Sequence, residues 1–196
     1  MKFPPLLVAL FLAATFPVST VQAEEFLFNG KDLSGWKVPA DNIWWLVEDG
    51  VLQVRSGPEQ KGSILWTEEE FGNFVLTLEF KFVSGTIDSG VHLRNEDQIQ
   101  IGISGSLKRD MTASPYIPKK GYPVEAEGVA ELLKMEDWNV MKIEVKGMDY
   151  AVSLNGKKVM TYTTDTGQAK GPIGLQLHAK RDMGIDYRNI RVAKLD

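Results

Sequence analysis

Two neighbouring segments, 88–95 and 98–104, alternate strictly between apolar and polar side chains. Their polar positions include Asp88, His92, Arg94, Gln98 and Gln100. Because successive side chains of a β-strand point to opposite faces, each segment predicts a strand with one apolar edge and one hydrogen-bonding edge. If the two strands pair, they form a sheet with a core side and a wet side. The wet side suits a ligand with many hydroxyl groups, such as a sugar, and suits lipid or nucleic acid poorly.

The chain contains two histidines, and both fall on the polar phase of a predicted strand beside a glutamine. His92 lies in the first segment, and His178 follows Gln176 in a strand whose Leu175 and Leu177 point inward. Imidazole changes its protonation near neutral pH, so a histidine in a ligand site can act as an acid or a base. Each histidine is therefore either a surface side chain or part of a binding site.

Arg94 and Gly90 each allow a structural and a functional interpretation. Arg94 shares the predicted face of His92, where its guanidinium is either a surface charge or a clamp for paired hydroxyls or a developing oxyanion. Gly90 follows Asp88, and it serves either a turn at the start of the strand or the close approach of a ligand to the backbone.

The segment 104–137 interrupts the strand pattern, and connections this long are usually functional or disordered. Its aromatic residues and prolines favour order. Because it directly follows the polar strand, we expect it to fold over the polar face. Its tyrosines, Tyr116 and Tyr122, could stack on a sugar ring or donate a hydrogen bond. Arg109 and Asp110 form either a surface ion pair or part of a site.

The elements that must position these residues are mostly strands, and helical periodicity is limited to 129–135. The pair Asn155-Gly156 predicts a two-residue hairpin turn, and Asp49-Gly50 predicts a similar turn. Many short antiparallel strands separated by glycine turns predict an all-β sandwich or barrel.

The amino terminus has the features of a secretory signal peptide: Lys2, an apolar run over 6–18 and a small-residue cleavage site ending at Ala23. The alternative, a membrane anchor, fits less well because the run is short and contains Pro17. We therefore predict a signal peptide over 1–23, a single domain over 24–196, no membrane insertion after cleavage, and a periplasmic or secreted protein.

Composition narrows the chemistry. The chain has no cysteine, which excludes thiol catalysis, cysteine-bound zinc and iron–sulfur clusters. The formal net charge of −4 is spread without blocks, which argues against a nucleic-acid partner. No serine-nucleophile or phosphate-loop motif occurs. The sequence also offers no convincing pair of facing carboxylates for ordinary glycoside hydrolysis, and no ligand spacing that indicates a metal or another cofactor.

Several short motifs occur in a characteristic order. They are Phe28-Asn29-Gly30-Lys31-Asp32-Leu33-Ser34-Gly35-Trp36, Trp45 with Gly50-Val51-Leu52, Asp88-Ser89-Gly90-Val91-His92-Leu93-Arg94, Trp138-Asn139, Leu154-Asn155-Gly156, Gly171-Pro172-Ile173-Gly174-Leu175-Gln176-Leu177-His178 and Arg188-Asn189-Ile190. This set resembles the 3-keto-disaccharide hydrolase domain family over essentially all of 24–196. The resemblance implies a concanavalin-like jelly-roll β-sandwich of two curved antiparallel sheets, a site on the concave face, export, and action on glycosides oxidised at C3.

One position departs from the family pattern. Many members carry Glu-x-Gln-Ile where this chain has Gln98-Ile99-Gln100-Ile101. If that glutamate is catalytic in relatives, this chain has lost it or moved its role.

A ketone at C3 acidifies the C2 hydrogen, so a base can remove that proton and the C1 oxygen can leave by β-elimination, with water adding later. This route needs a base and an enolate stabiliser, but not two facing carboxylates. We therefore predict a hydrolase or lyase of oligosaccharides or glycosides carrying a 3-keto group. Arg94 and Gln100 would stabilise the enolate, and His92 or His178 would be the base or acid.

The remaining roles complete the predicted site. The predicted catalytic residues are Arg94, His92 and, as an alternative base, Asp110. The predicted substrate-binding residues are Asp88, Gln98, Gln100, Arg109, Tyr116, Tyr122, Gln176 and His178. No metal is assigned, although a divalent ion held by His92 or His178 could replace the arginine.

Three functions stay open, and each predicts a different geometry. An enzyme requires a deep pocket with an ionisable group at its floor, and His92 and Arg94 on the concave face. A non-catalytic carbohydrate-binding sandwich requires a shallow groove with an exposed aromatic residue, such as Trp44 or Trp45, of which only one can face the core. A structural or interaction domain requires that His92, Arg94 and Gln100 do not converge.

Overall fold

The computed structural model describes residues 23–94 and 96–196, so the predicted signal peptide lies outside the described residues except for Ala23. The strands are β1 (Glu25–Phe26), β2 (Trp36–Lys37), β3 (Trp45–Glu48), β4 (Val51–Arg55), β5 (Ser63–Phe71), β6 (Phe74–Gly85), β7 (Asp88–Leu93), β8 (Gln98–Gly102), β9 (Pro115–Tyr116), β10 (Asn139–Lys146), β11 (Asp149–Leu154), β12 (Lys157–Thr163), β13 (Gly171–Leu177) and β14 (Met183–Lys194). One short helix, α1 (Val129–Leu132), occupies part of the predicted helical segment. Among these residues, no helix is long and apolar enough to cross a membrane.

The strands form two antiparallel sheets. The larger has the order β12-β11-β10-β6-β14-β4-β3, with β1 paired to β14, and the smaller has the order β2-β5-β13-β7-β8-β9. The all-β prediction is confirmed, and of the two architectures that the strand pattern allowed, the chain adopts the sandwich.

Strict alternation places the hydrophobic core between the two sheets. Leu76 and Leu78 of the larger sheet and Val91, Ile99 and Leu175 of the smaller sheet are fully buried in one cluster. Burying each such side chain contributes about 1.5–3 kcal/mol to folding. The apolar phase of β7, β8 and β13 is thereby fixed toward the core, and their opposite phase must point away from it.

Both predicted hairpin turns are present. Asn155 and Gly156 join β11 to β12 with φ angles of 48° and 85°, and Asp49 and Gly50 join β3 to β4 with φ angles of 49° and 78°. Positive φ at both central residues is the geometry of a type I′ turn, which explains the Asn-Gly and Asp-Gly pairs.

The smaller sheet presents its polar phase on the outer face. Gly90 of β7 lies between Gln100 of β8 and Gln176 of β13. The long loop contributes β9, which extends this sheet and sets Tyr116 opposite Gln98. Polar side chains from three strands therefore share one surface, and part of the loop lies beside them.

Candidate functional site

A cleft of about 350 Å³ lies on the outer face of the smaller sheet. Strands β7, β8 and β13 form its floor, the loop after β8 forms one wall, and the segment after β13 forms another. The lining residues are Asp88, Gln98, Gln100, Ser104, Gly105, Ser106, Tyr116, Tyr122, Gln176, His178, Ala179, Lys180 and Arg181. This volume is in the range of small-ligand sites.

The structure brings most of the predicted site residues together in this cleft. Those that line it are Asp88, Gln98, Gln100, Tyr116, Tyr122, Gln176 and His178. Those that do not are His92, Arg94, Arg109 and Asp110.

Asp88 lies at the floor of the cleft, where only 3% of its side chain is exposed, and it anchors a chain of hydrogen bonds. Its Oδ1 accepts from Gln100 Nε2 at 2.9 Å, and its Oδ2 accepts from Arg181 Nε at 3.2 Å. Gln98 Nε2 extends the chain by donating to Gln100 Oε1 at 2.9 Å. A buried carboxylate with a cationic partner therefore occupies the floor, which is a feature required by the enzyme hypothesis.

Gly90 makes room for the side chain of Gln98. A Cβ atom at position 90 would lie 2.2 Å from Gln98 Nε2. The group that approaches the Gly90 backbone is thus a protein amide, which neither of the two interpretations of this glycine anticipated.

Gly90→Ala should therefore displace Gln98 from the floor of the cleft. We expect a destabilisation of about 1–3 kcal/mol, because the floor is closely packed and the added methyl group has no space. Thermal unfolding together with sugar binding by calorimetry measures both effects. Gly72→Ala is the matched control, since its new Cβ would meet nothing closer than 3.6 Å. An unchanged affinity in Gly90→Ala would show that Gln98 does not need its present position.

His178 stands at the rim of the cleft with 45% of its side chain exposed. Its Nδ1 lies 2.7 Å from the carbonyl oxygen of Ala179. Because a carbonyl can only accept, Nδ1 carries the proton of the neutral ring and Nε2 keeps a free lone pair. Asp88 Oδ2 lies 4.0 Å from Nδ1. His178 is thus equipped to act as a general base.

Tyr116 and Tyr122 form an aromatic wall of the cleft. Their rings meet edge to face, with centroids 5.3 Å apart. Tyr116 is partly exposed and offers its ring to a sugar. Burial raises the pKa of Tyr122, so its hydroxyl keeps its proton at neutral pH and can donate a hydrogen bond.

Arg94 lies outside the cleft and is fully buried, so its predicted placement on the polar face is wrong. Its φ of 57° ends the alternation, so that β7 stops at Leu93, two residues before the end of the predicted segment 88–95. Its Nη2 donates to the carbonyl oxygen of Gly147 at 2.7 Å, and its Nη1 donates to that of Ala169 at 3.4 Å. The guanidinium also lies 6.0 Å from the ring centroid of Tyr150. These contacts give Arg94 a structural role.

His92 keeps its predicted phase but does not reach the cleft. It is buried, and the ring of Trp66 from β5 lies 5.2 Å from its own ring centroid. The aromatic neighbour covers the histidine, and no pattern in the segment 88–95 could reveal a side chain from another strand. The predicted role of His92 as acid or base is therefore not supported by its position. The predicted convergence of His92, Arg94 and Gln100 is wrong, because only Gln100 lines the cleft.

Arg109 and Asp110 do not line the cleft. Arg109 forms a two-pronged surface ion pair, but with Glu125 and not with Asp110, the partner that the sequence suggested; one of its contacts measures 2.6 Å. Asp110 accepts a hydrogen bond from the backbone of Thr112 at 2.7 Å. Neither residue is placed to act on a ligand in the cleft.

Trp44 and Trp45 are both buried, with 5% and 1% exposure, so the expectation that only one faces inward is wrong. The indole of Trp45 donates to Ser63 Oγ at 2.9 Å. Neither tryptophan can serve as a surface platform for a sugar.

Arg181 lines the cleft but was not predicted from the sequence, and the same is true of Ser104, Ser106 and Lys180. Arg181 lies between β13 and β14, three residues after His178, where strand alternation no longer predicts direction. The pairing of the strands brings it to Asp88, which is 93 residues earlier in the chain. Among residues 23–94 and 96–196, no group of three or more His, Asp or Glu side chains has the arrangement of a metal site.

Comparisons with known proteins agree with this architecture. The chain matches the model of a domain family described as 3-keto-alpha-glucoside-1,2-lyase-like over residues 24–193. No curated protein matches the chain.

Solved structures share the fold. Two proteins from Parabacteroides distasonis, each provisionally named a glycosyl hydrolase, superpose with TM-scores of 0.69 and 0.65 at 18% and 25% identity. The first match covers 88% of this chain and 94% of the other, and the second covers 88% and 99%. The carbohydrate-binding module CBM66 from Bacillus subtilis superposes with a TM-score of 0.53 at 15% identity, covering 80% of this chain and 93% of the module. The predicted jelly-roll sandwich is confirmed.

Proposed function

This chain belongs to the 3-keto-alpha-glucoside-1,2-lyase-like domain family, and we propose that it cleaves 3-keto-glycosides by removing the C2 proton and eliminating the C1 oxygen. Family membership makes it a carbohydrate-active protein. The observation that carries the finer proposal is the position of His178, whose free Nε2 stands at the rim of a cleft floored by Asp88.

The proposed reaction balances without an oxidant. His178 Nε2 takes the C2 hydrogen as a proton, and the electron pair of that bond forms a C2=C3 double bond while negative charge moves to the C3 oxygen. When the C3 carbonyl forms again, a C1=C2 double bond appears and the C1–O bond breaks. The leaving oxygen takes the proton from His178. The products are an alcohol and an unsaturated 3-keto sugar, to which water can add.

Arg181 takes the stabilising role that the sequence had assigned to Arg94. Its Nε is held by Asp88, and the close approach of its Nη2 is possible because residue 105 is a glycine, whose added Cβ would lie 2.7 Å from that nitrogen. A fixed cation in a partly closed cleft can stabilise the enolate oxygen without rearranging during the reaction.

Arg181→Gln should lower kcat on a 3-keto-glucoside about 10²-fold, because it removes a preorganised positive charge from the transition state. Arg55→Gln is the matched control: Arg55 is also 30% exposed and also pairs with an aspartate, Asp186, but it lies outside the cleft. Steady-state kinetics of both variants measures the difference. If kcat fell equally in the two variants, Arg181 would have no specific role in the reaction.

The proposed activity is tested by incubating the purified protein with 3-keto-glucosides and with the unoxidised parent glucosides, with and without a chelator. We expect release of the aglycone from the 3-keto compounds only. Equal inertness toward both sets would reject catalysis and leave a carbohydrate-binding protein. The chelator arm shows whether a metal takes part.

We also propose export, on the basis of the sequence over 1–23. Expression in a bacterium that processes signal peptides should yield a protein that begins at Glu24, and mass spectrometry of the intact protein measures this. An intact amino terminus beginning at Met1 or Lys2 would contradict the proposed cleavage.

A further inference from the structure

The orientation of the Gln100 amide is fixed by its partners. Its Nε2 donates to Asp88 Oδ1 at 2.9 Å and to the carbonyl oxygen of Ile103 at 3.4 Å. A carboxylate and a carbonyl can only accept, so a reversed amide would set oxygen against oxygen. Gln100 Oε1 therefore faces Gln98, and it does so as an acceptor.

Gln98 is fixed in turn. Its Nε2 donates to the carbonyl oxygen of Ser89 at 3.3 Å and to Gln100 Oε1 at 2.9 Å. These two bonds use both hydrogens of the amide nitrogen. Gln98 is only 4% exposed, so its side chain has little freedom to turn. What Gln98 offers a ligand is its Oε1, an acceptor.

Gln176 presents a second acceptor in the same cleft. It lies on β13 directly beside Gly90, over whose backbone the Gln98 side chain passes. Its Oε1 is buried and accepts no hydrogen bond from any described residue. A buried oxygen without a donor costs free energy until a ligand supplies one. Gln98 and Gln176 therefore each present an acceptor oxygen to a ligand in this part of the cleft.

The other end of the cleft has the opposite chemistry. Lys180 and Arg181 line it, and both are hydrogen-bond donors that cannot accept. Gln98 donates to Gln100, Gln100 donates to Asp88, and Arg181 also donates to Asp88, so the hydrogen bonds of this relay converge on the carboxylate. The acceptor oxygen of Gln98 is left at one end of the relay, and the remaining N–H groups of Arg181 are left at the other.

We propose that Gln98 and Gln176 determine specificity by accepting hydrogen bonds from sugar hydroxyl groups, and that the sugar binds with its carbonyl oxygen toward Arg181. This orientation rests on the proposed function in placing a carbonyl in the cleft. Hydrogen bonding of sugar hydroxyl groups to Gln98 and Gln176 does not require a 3-keto group, so it can be tested by binding of an ordinary pyranoside without turnover. Replacing a matched hydroxyl by hydrogen should cost affinity, because the site's acceptor is then left unpaired.

The test measures binding by calorimetry with methyl α-glucoside and its monodeoxy analogues, against the wild type, Gln98→Met and Gln176→Met. Each variant should bind the parent sugar about tenfold more weakly than the wild type does. For each variant, the monodeoxy analogue that lacks the recognised hydroxyl group should bind to the variant and to the wild type with affinities that agree within about twofold. Gln53→Met, a glutamine of β4 outside the cleft, is the control for folding and should match the wild type. If Gln98→Met does not fold, Gln176→Met alone decides the question.

Two results would overturn the proposal: variants that bind the parent as tightly as the wild type, or variants that lose the same affinity for every analogue. Turnover is measured separately with 3-keto-glucosides. If no 3-keto-glucoside is turned over but one monodeoxy analogue identifies a hydroxyl group bound by Gln98 or Gln176, the proposed reaction is refuted and the proposed hydroxyl recognition stands. If 3-keto-glucosides are turned over but no monodeoxy analogue identifies such a hydroxyl group, only the proposed hydroxyl recognition is refuted.

Gln98→Glu tests whether the side chain at position 98 acts as a hydrogen-bond donor. An ionised carboxylate at position 98 cannot donate to Ser89 or Gln100, so the folded protein should hold the acid protonated and raise the pKa of that carboxyl above its unfolded value. The variant's stability relative to the wild type should then be highest at acidic pH and be lost as pH rises toward the folded pKa. Unfolding midpoints between pH 4 and pH 8 measure this. A loss of stability that is independent of pH would contradict the assignment of the Gln98 side chain as the hydrogen-bond donor to Ser89 and Gln100.

Discussion

Replacing His178 by glutamine should lower kcat on a 3-keto-glucoside by about 10²- to 10⁴-fold, the usual contribution of a positioned general base. The midpoint of thermal unfolding should stay nearly unchanged, because the imidazole is almost half exposed and its hydrogen bond goes to the carbonyl oxygen of the next residue, Ala179. Steady-state kinetics at saturating substrate and a thermal melt measure the two quantities.

The chain supplies its own control, since its other histidine occupies the same sheet face but is covered by Trp66. His92→Gln should lower the unfolding midpoint, because the side chain is buried, and should keep most of the kcat of the folded protein. If His178→Gln kept full activity and His92→Gln were folded but inactive, the base would be His92 and not His178.

Replacing Arg94 by methionine should have the second large effect, on stability. Methionine fills much of the space but cannot donate to Gly147 and Ala169, whose carbonyl oxygens would lose a charged partner. A buried network broken in this way costs about 3 kcal/mol, which corresponds to about 6–12 °C in the unfolding midpoint of a chain of this size. At a temperature where the variant is folded, kcat should stay within a few-fold of the wild type.

Arg188→Met is the matched control for Arg94. Arg188 also lies over an aromatic ring, that of Trp138 at 4.0 Å, but 39% of its side chain is exposed. Its loss should shift the midpoint by only about 2–4 °C, in line with a contribution near 1 kcal/mol. If Arg94→Met had the unfolding midpoint of the wild type but no turnover, Arg94 would have a role in the reaction and not in stability.

Alternation made the sheets and their polar face predictable from the sequence. It assigned the faces of Asp88, Gln98, Gln100 and Gln176, because a buried apolar phase forces the other phase outward. The loop after β8 was expected to fold over that face, and Tyr116 now lines the cleft because β9 pairs with β8. The hairpin turns were readable for a similar reason, since Asn-Gly and Asp-Gly tolerate positive φ.

Features that depend on distant contacts or on local departures from regular geometry could not be read in this way. The positive φ of Arg94 ends the strand early, although arginine itself gives no sign of it. His92 is covered by Trp66, which belongs to a different strand. Arg181 lies in a turn, and its partner Asp88 is remote in sequence. The arginine of the cleft was therefore assigned to the wrong position, whereas His178 was among the candidates.

The central claim is that the cleft removes the C2 proton of a 3-keto sugar with His178 as the base. Nuclear magnetic resonance in D₂O measures this directly, through loss of the C2 hydrogen signal from a 3-keto-glucoside and the appearance of the elimination product. We predict both changes for the wild type, neither for His178→Gln, and neither for the unoxidised glucoside. Retention of the C2 hydrogen by the 3-keto-glucoside, or equal rates for wild type and His178→Gln, would contradict the account.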